Sequence, residues 1–256
     1  LHRRRHSFPT RRSSDLATIL LPSTELASHD SPSLLLPTFC QGTKASDSVP
    51  KPCNLTGKKS ETKIALIGDS HSAQYMAPML SLAKKNGWQI VSYSKGGCPL
   101  SYAERTHDVV LKAACKKWVK AAVQQLTTQG FDLVVTSQVS GTEWASGKTR
   151  ATTYAQDGLV KIWKEINSHG VPVLVMKDNP RPIKASILCI QKNKFENFAA
   201  CQNLKKTAML FDPQPAAVAK LNSKLTRLVD FTNVYCDATK CDAVIGGVIV
   251  NPMRIT

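Results

Sequence analysis

Residues 64–72 read Ile-Ala-Leu-Ile-Gly-Asp-Ser-His-Ser, an apolar run that stops at a small nucleophile. Four apolar residues in a row suit a buried strand, and Gly68 lets the chain turn tightly where that strand ends. At such a strand-to-helix turn Ser70 would expose its Oγ. The N–H groups at the start of the next helix would face a developing oxyanion. The chemistry this suggests is acyl transfer through a serine ester. It is not the G-x-S-x-G elbow, because Ser72 stands where that motif has glycine. It is not a phosphate loop either, because no G-K-[S/T] follows. A serine hydroxyl is a weak nucleophile without a base. His71 adjoins Ser70, and the turn between them is expected to point its ring away from Oγ and into the pocket wall. His107 and His169 lie at helix ends, where histidines are usually solvated. The candidate catalytic group is therefore Ser70 with its neighbours Asp69 and His71.

The elements that must position these residues are legible as an alternation of short apolar runs and helical periods. Strands are expected over 63–67, 89–93, 133–136 and 171–176, and an extended segment over 231–235. Helices are expected over 73–85, 108–127, 152–168 and 214–229. In the second helix Leu111, Cys115, Trp118, Ala122 and Leu126 recur at helical spacing. Strands alternating with helices imply right-handed crossovers and a parallel sheet covered on both faces. Ligands in such folds bind beyond the carboxyl ends of the strands. That is where residues 68–70, 94–99, 137–141 and 178–182 fall. Trp118 and Trp163 lie on apolar helix faces and read as core. Trp144, in a loop near the strand ends, is the better candidate for stacking on a sugar.

The 256 residues carry a formal charge of +16. Residues 6–16, HSFPTRRSSDL, match the translation of a common short-read sequencing adapter, so residues 1–16 are expected to be an artefact. They hold five Arg and one Asp, and the remaining chain keeps 29 basic and 17 acidic side chains, or +12. A basic surface suits anionic glycans, membrane headgroups or nucleic acid. Nucleic acid is disfavoured, because the basic residues are scattered and no aromatic-basic RNA motif occurs. No stretch is long and apolar enough for a membrane span.

The eight cysteines are Cys40, Cys53, Cys98, Cys115, Cys189, Cys201, Cys236 and Cys241. No C-x-x-C pair or zinc-finger spacing occurs, so no metal site is expected. Eight cysteines allow on the order of a hundred pairings. Taken in order they form neighbours 13, 17, 12 and 5 residues apart. Four local disulfides and an oxidising compartment are the expectation. Residues 17–60, rich in Ser, Thr, Pro and Lys, read as a cysteine-bearing extension, and residues 61–256 as one domain.

Several blocks together resemble one known family. They are LIGDSHSAQYMAPMLSLAKKNGW at 66–88, SKGGCPL at 94–100, DNPRP at 178–182 with Cys189 and Cys201 behind it, and VYCDATKCDAVIGGVIV at 234–250. They resemble the SGNH (GDSL-like) hydrolases, and within them the periplasmic SGNH domain fused behind the membrane acyltransferase-3 domain of bacterial surface-glycan O-acetyltransferases. The resemblance implies an α/β fold, a three-layer flavodoxin-like sandwich with a parallel central sheet. It implies cysteines paired as sequence neighbours, as the spacing suggests. It makes Ser70 the nucleophile. The oxyanion hole would come from the turn at Ser70 and the His71 N–H, from Gly97 or Gly96, and from an Asn side chain. That Asn belongs to a G-x-N-D block, and TSQVSG at 136–141 occupies its place without it. Asn179 is a possible substitute, and a rigid proline loop is the competing reading of its segment.

The family's acid and base come as Asp-x-x-His after the GGVIV segment, and residues 251–256 read Asn-Pro-Met-Arg-Ile-Thr instead. The chain is therefore expected to be a C-terminally truncated, inactive piece of an active enzyme. The implied activity is transfer of an acetyl group to a cell-surface glycan such as O-antigen. The domain itself would bind no cofactor. An acetyl-CoA-derived donor would arrive through an N-terminal membrane domain, and the location would be the periplasmic side of the bacterial inner membrane. A carbohydrate esterase and a non-catalytic glycan-binding module are the alternatives.

Overall fold

The computed structural model describes residues 20, 23–27, 40–42, 44–106, 108–145, 151–181, 186–193 and 197–250. His107, Pro182 and residues 1–16 and 251–256 lie outside them. The chain divides into two compact units. The larger, residues 31–180 and 209–234, holds the central sheet. Its strands are β1 (Gln41–Gly42), β2 (Cys53–Asn54), β3 (Lys63–Gly68), β4 (Gln89–Lys95), β5 (Leu133–Ser137) and β6 (Val173–Met176). After the two-residue β7 (Asn203–Leu204) of the other unit comes β8 (Thr226–Val229). The spatial order is β1-β4-β3-β5-β6-β8, all parallel, with β2 added antiparallel on β4. The cysteine-bearing extension thus supplies strands to the sheet edge, and the Cys40–Cys53 disulfide ties the start of β1 to β2.

The residues alternate along each strand as buried sheets require. Ala65, Ile67, Val91, Tyr93 and Val134 pack on one face against Trp118, Leu126, Leu159, Ile162, Trp163 and Ala217. Those partners come from the helices Val109–Thr128, Ala151–Ser168 and Gln214–Leu221. Ile64, Leu66, Ile90 and Val135 pack on the other face with Met76 and Ala83 of the helix Met76–Asn86. The result is the expected three-layer α/β arrangement, with Trp118 and Trp163 in its core. From β3 the chain goes outward to β4 and then returns to β5 on the opposite side. That reversal makes the carboxyl end of β3 the topological switch point, where crevices form.

Three expected elements differ. The first helix starts at Met76, preceded by a 3₁₀ turn over Ser70–Tyr75. Pro78 explains the change, because its ring would clash with the Gln74 carbonyl if the α-helix ran on continuously. The helix expected over 214–229 ends at Leu221, where Asn222 turns left-handed with φ 47°. Residues 226–229 then form the strand β8, and Thr232–Tyr235 is a helical turn, not an extended segment.

The smaller unit, residues 1–30, 181–208 and 235–256, has its own apolar cluster of Ala27, Ile187, Ile190, Ala243 and Ile249. Cys189–Cys201 and Cys236–Cys241 staple it. Its strands are short pairings, β7 with β9 (Lys240–Cys241) and β10 (Val244–Ile245) with β11 (Val248–Ile249).

Candidate active site

Ser70 stands at the switch point. Gly68, two residues before it, pairs with Ser94 of β4 on one side and Ser137 of β5 on the other. A Cβ on Gly68 would collide with the Ser137 carbonyl oxygen, so only glycine lets β3 end this close to β5. Ser70 is exposed, while Asp69 beside it is fully buried. Among the described residues, neither the Ser70 hydroxyl nor its N–H makes a hydrogen bond. Among the described residues the turn therefore presents a nucleophile and a donor that are both unbonded.

Asp69 is the hub that holds this turn. Its carboxylate accepts from the His71 N–H at 2.9 Å, capping the 3₁₀ turn. It accepts from the Val139 N–H at 3.1 and 2.9 Å, which ties the loop after β5 to the nucleophile turn. It also faces the Arg105 Nη2 at 2.9 Å, an ion pair buried on both sides. Arg105 donates further to the Val139 carbonyl and packs over the Trp144 ring, 5.2 Å from its centroid. Burial pulls the guanidinium below its usual range, and the charges of Asp69, Asp178 and Asp212 oppose that pull. It stays protonated. Trp144 is 5% exposed beneath this guanidinium, so its face is not open to a sugar as the sequence suggested.

His71 turns to a second carboxylate. Its Nδ1 lies 2.6 Å from Asp178 Oδ1, and the other Asp178 oxygen accepts from both the N–H and the hydroxyl of Ser140 at 2.7 Å. The Asp178 N–H in turn donates to Asp212. Burial raises the Asp212 pKa, with the nearby Asp178 charge adding to the rise and hydrogen bonds from Gln214 and Asp178 opposing it. Such an aspartate fixes an imidazole's orientation and tautomer and leaves Nε2 as its free nitrogen.

The other expected site residues lie along the same sheet edge. Gly97 follows β4 with φ +72°, and its neighbour Cys98 is bonded to Cys115 of the Val109–Thr128 helix. Asn179 follows Asp178 after β6, and its Nδ2 donates to Gln74 Oε1 at 3.0 Å. The His71 N–H, expected at the oxyanion, is occupied by Asp69. His169 is exposed at the end of its helix, against the Glu165 carbonyl. Sequence reading missed Arg105, Ser140 and Asp178. Asp178 sat in the quoted DNPRP block, whereas no motif marks Arg105.

Among the described residues no group of His, Cys, Asp or Glu is arranged to hold a metal ion, and no helix is long and apolar enough to cross a membrane. The pairing of all eight cysteines follows sequence order.

Comparison with known proteins agrees with this architecture. The profile of the family described as "SGNH domain (fused to AT3 domains)" matches residues 39–250. The periplasmic domain of a lipopolysaccharide acetyltransferase from Salmonella ser. Paratyphi A has a similar fold. It is 13% identical, with a TM-score of 0.57 over 77% of this chain and 80% of that one. No curated protein matches the chain.

Proposed function

This chain belongs to the family of SGNH domains fused to AT3 domains, and from that premise we propose that Ser70 carries an acetyl group on its way to a glycan hydroxyl. The observation that carries the reading is the exposed Ser70 at the switch point, with neither its hydroxyl nor its N–H bonded among the described residues. Ser70 Oγ attacks the donor's acyl carbonyl and its proton leaves with the departing group. The Ser70 N–H, with Gly97 or Asn179 as further donors, stabilises the oxyanion. A sugar hydroxyl then attacks the acyl-serine, forming the sugar ester and restoring Ser70. Asp69 positions the turn in both steps, its carboxylate engaged by three donors.

Both steps need a base. No Asp-x-x-His occurs in the 256 residues. Residues next to each other on a 3₁₀ turn point about 120° apart, so the His71 ring diverges from Oγ and is held by Asp178. We therefore read the chain as holding the nucleophile without its acid–base pair. The acyl donor comes from a membrane acyltransferase domain of the parent protein, and the four disulfides suit the oxidising periplasmic side.

The test supplies the base from solution. The chain is incubated with an activated acetyl ester, imidazole and an acceptor saccharide, and acetylated sugar is measured against free acetate. Acetyl sugar that depends on Ser70 supports transfer. Ser70-dependent acetate alone, unchanged by acceptor, makes the protein an esterase. No Ser70-dependent product with imidazole present leaves a glycan-binding module.

A further inference from the structure

A cavity of about 250 Å³ lies beside the nucleophile's edge of the sheet. Gly97 and Pro99 line it from the loop after β4, Tyr102 from the next turn, Lys112 and Lys116 from the Val109–Thr128 helix, and Lys161 from the Ala151–Ser168 helix. Its wall is built in advance. Cys98–Cys115 pins the loop to one helix, and the Tyr102 N–H donates to the Gly158 carbonyl of the other. The Glu104 N–H donates to the Tyr154 hydroxyl at 3.0 Å.

The charges in it do not balance. Glu104, the acid in the lining, pairs with Lys116 at 3.3 Å. The nearby Glu165 accepts the Tyr102 hydroxyl at 2.6 Å. Arg105 also lines the cavity and is spent on Asp69. Among the described residues Lys112, half-buried, and the exposed Lys161 have no carboxylate partner, and Lys161 lies 5.7 Å from the Tyr102 ring. A concave surface with surplus charge of one sign concentrates ions of the other. The proline, the tyrosine ring and the disulfide add an apolar floor. The volume falls below the roughly 300–1,000 Å³ of pockets that enclose drug-sized ligands, so one ring fits and an oligosaccharide does not.

The geometry points to an anion subsite: the cavity takes one sugar ring bearing a carboxylate or a phosphate, a unit of the acceptor glycan. The word acceptor rests on the acyl-transfer reading, and the binding does not. The test titrates the 256-residue chain with a glucuronic-acid-containing disaccharide, its carboxyl-reduced neutral counterpart, and inorganic phosphate, at matched ionic strength. The acidic disaccharide should bind at least about fivefold tighter than the neutral one, the scale of one solvent-accessible ion pair. Lys112→Gln and Lys161→Gln should each remove most of that difference, while Lys120→Gln, exposed on the same helix, should not. Equal affinity for the two disaccharides, or equal loss in Lys120→Gln, overturns the subsite. Phosphate binding as tightly as the acidic disaccharide overturns its assignment to a sugar. Ser70→Ala should bind as the parent does, so failure of the acyl-serine reading and failure of the subsite are read separately.

Discussion

At the residue scale the site is an arrangement of two buried carboxylates around one exposed hydroxyl. Asp69 serves the turn and Asp178 serves the imidazole, and each is saturated by donors that the fold brings to it. Removing one partner of a buried ion pair leaves the other charge unpaired, at a cost of about 3–5 kcal/mol. Asp69→Asn should therefore lower stability by about 3 kcal/mol in denaturant titration, because Arg105 then keeps its charge without a counter-ion. Arg105→Met should cost a similar amount, and the double variant less than the sum of the two. Additive losses would mean that the two side chains are not coupled. None of this could be read from the string GDS. Asp69 looked like a reacting group because it neighbours the serine. Only the two loops that bring Val139 and Arg105 to it, from 70 and 36 residues further along, show it to be a brace.

At the scale of elements, the sequence carried the strands and long helices well because their apolar residues recur at the period of a two-sided sheet and its covering helices. It carried less where one residue's backbone decides, as at Pro78 and Asn222, or where strands are two residues long and held by disulfides. Gly158 is a position of that kind. It sits inside a helix, where glycine is normally unfavourable, and a Cβ there would strike the backbone and side chain of Ala103. The contact lets the loop carrying Tyr102 and Arg105 lie flat on the helix. Gly158→Ala should cost about 1–3 kcal/mol by overpacking, despite alanine's better helix propensity. A stability gain on thermal melting would refute this close contact.

At the scale of the whole molecule, two devices hold the sheet edge near the site. The first is covalent: the Cys98–Cys115 bridge joins residues 17 apart, a span worth about 3 kcal/mol in the chain-entropy model. Cys98→Ala with Cys115→Ala should lose about that much in denaturant titration, and an unchanged midpoint would deny the bridge a structural part. The second is burial of Tyr93 in β4, packed edge-on against Phe131. Burial pushes its hydroxyl up from 10.0 to about 12. Between those values the unfolded chain has lost a proton that the folded one keeps, so stability falls as pH rises from about 10 to about 12. Below that window the residue contributes no pH dependence. Tyr93→Phe should flatten the alkaline fall, and an unaltered slope would place the loss elsewhere. The cysteine spacing made the first device legible in the sequence. The second depends on which face of β4 a tyrosine occupies, which no local pattern reveals.

The central claim is that Ser70 is the group that accepts the acyl chain, and the most direct check is to find the acyl chain there. The protein is exposed to an activated acetyl ester near neutral pH, with and without imidazole, then digested and mapped by mass spectrometry. The account predicts an acetyl group on the peptide containing Ser70, more of it with imidazole, and none at that peptide in Ser70→Ala. Acetyl groups spread over lysines, with Ser70 unmodified in both conditions, would contradict it.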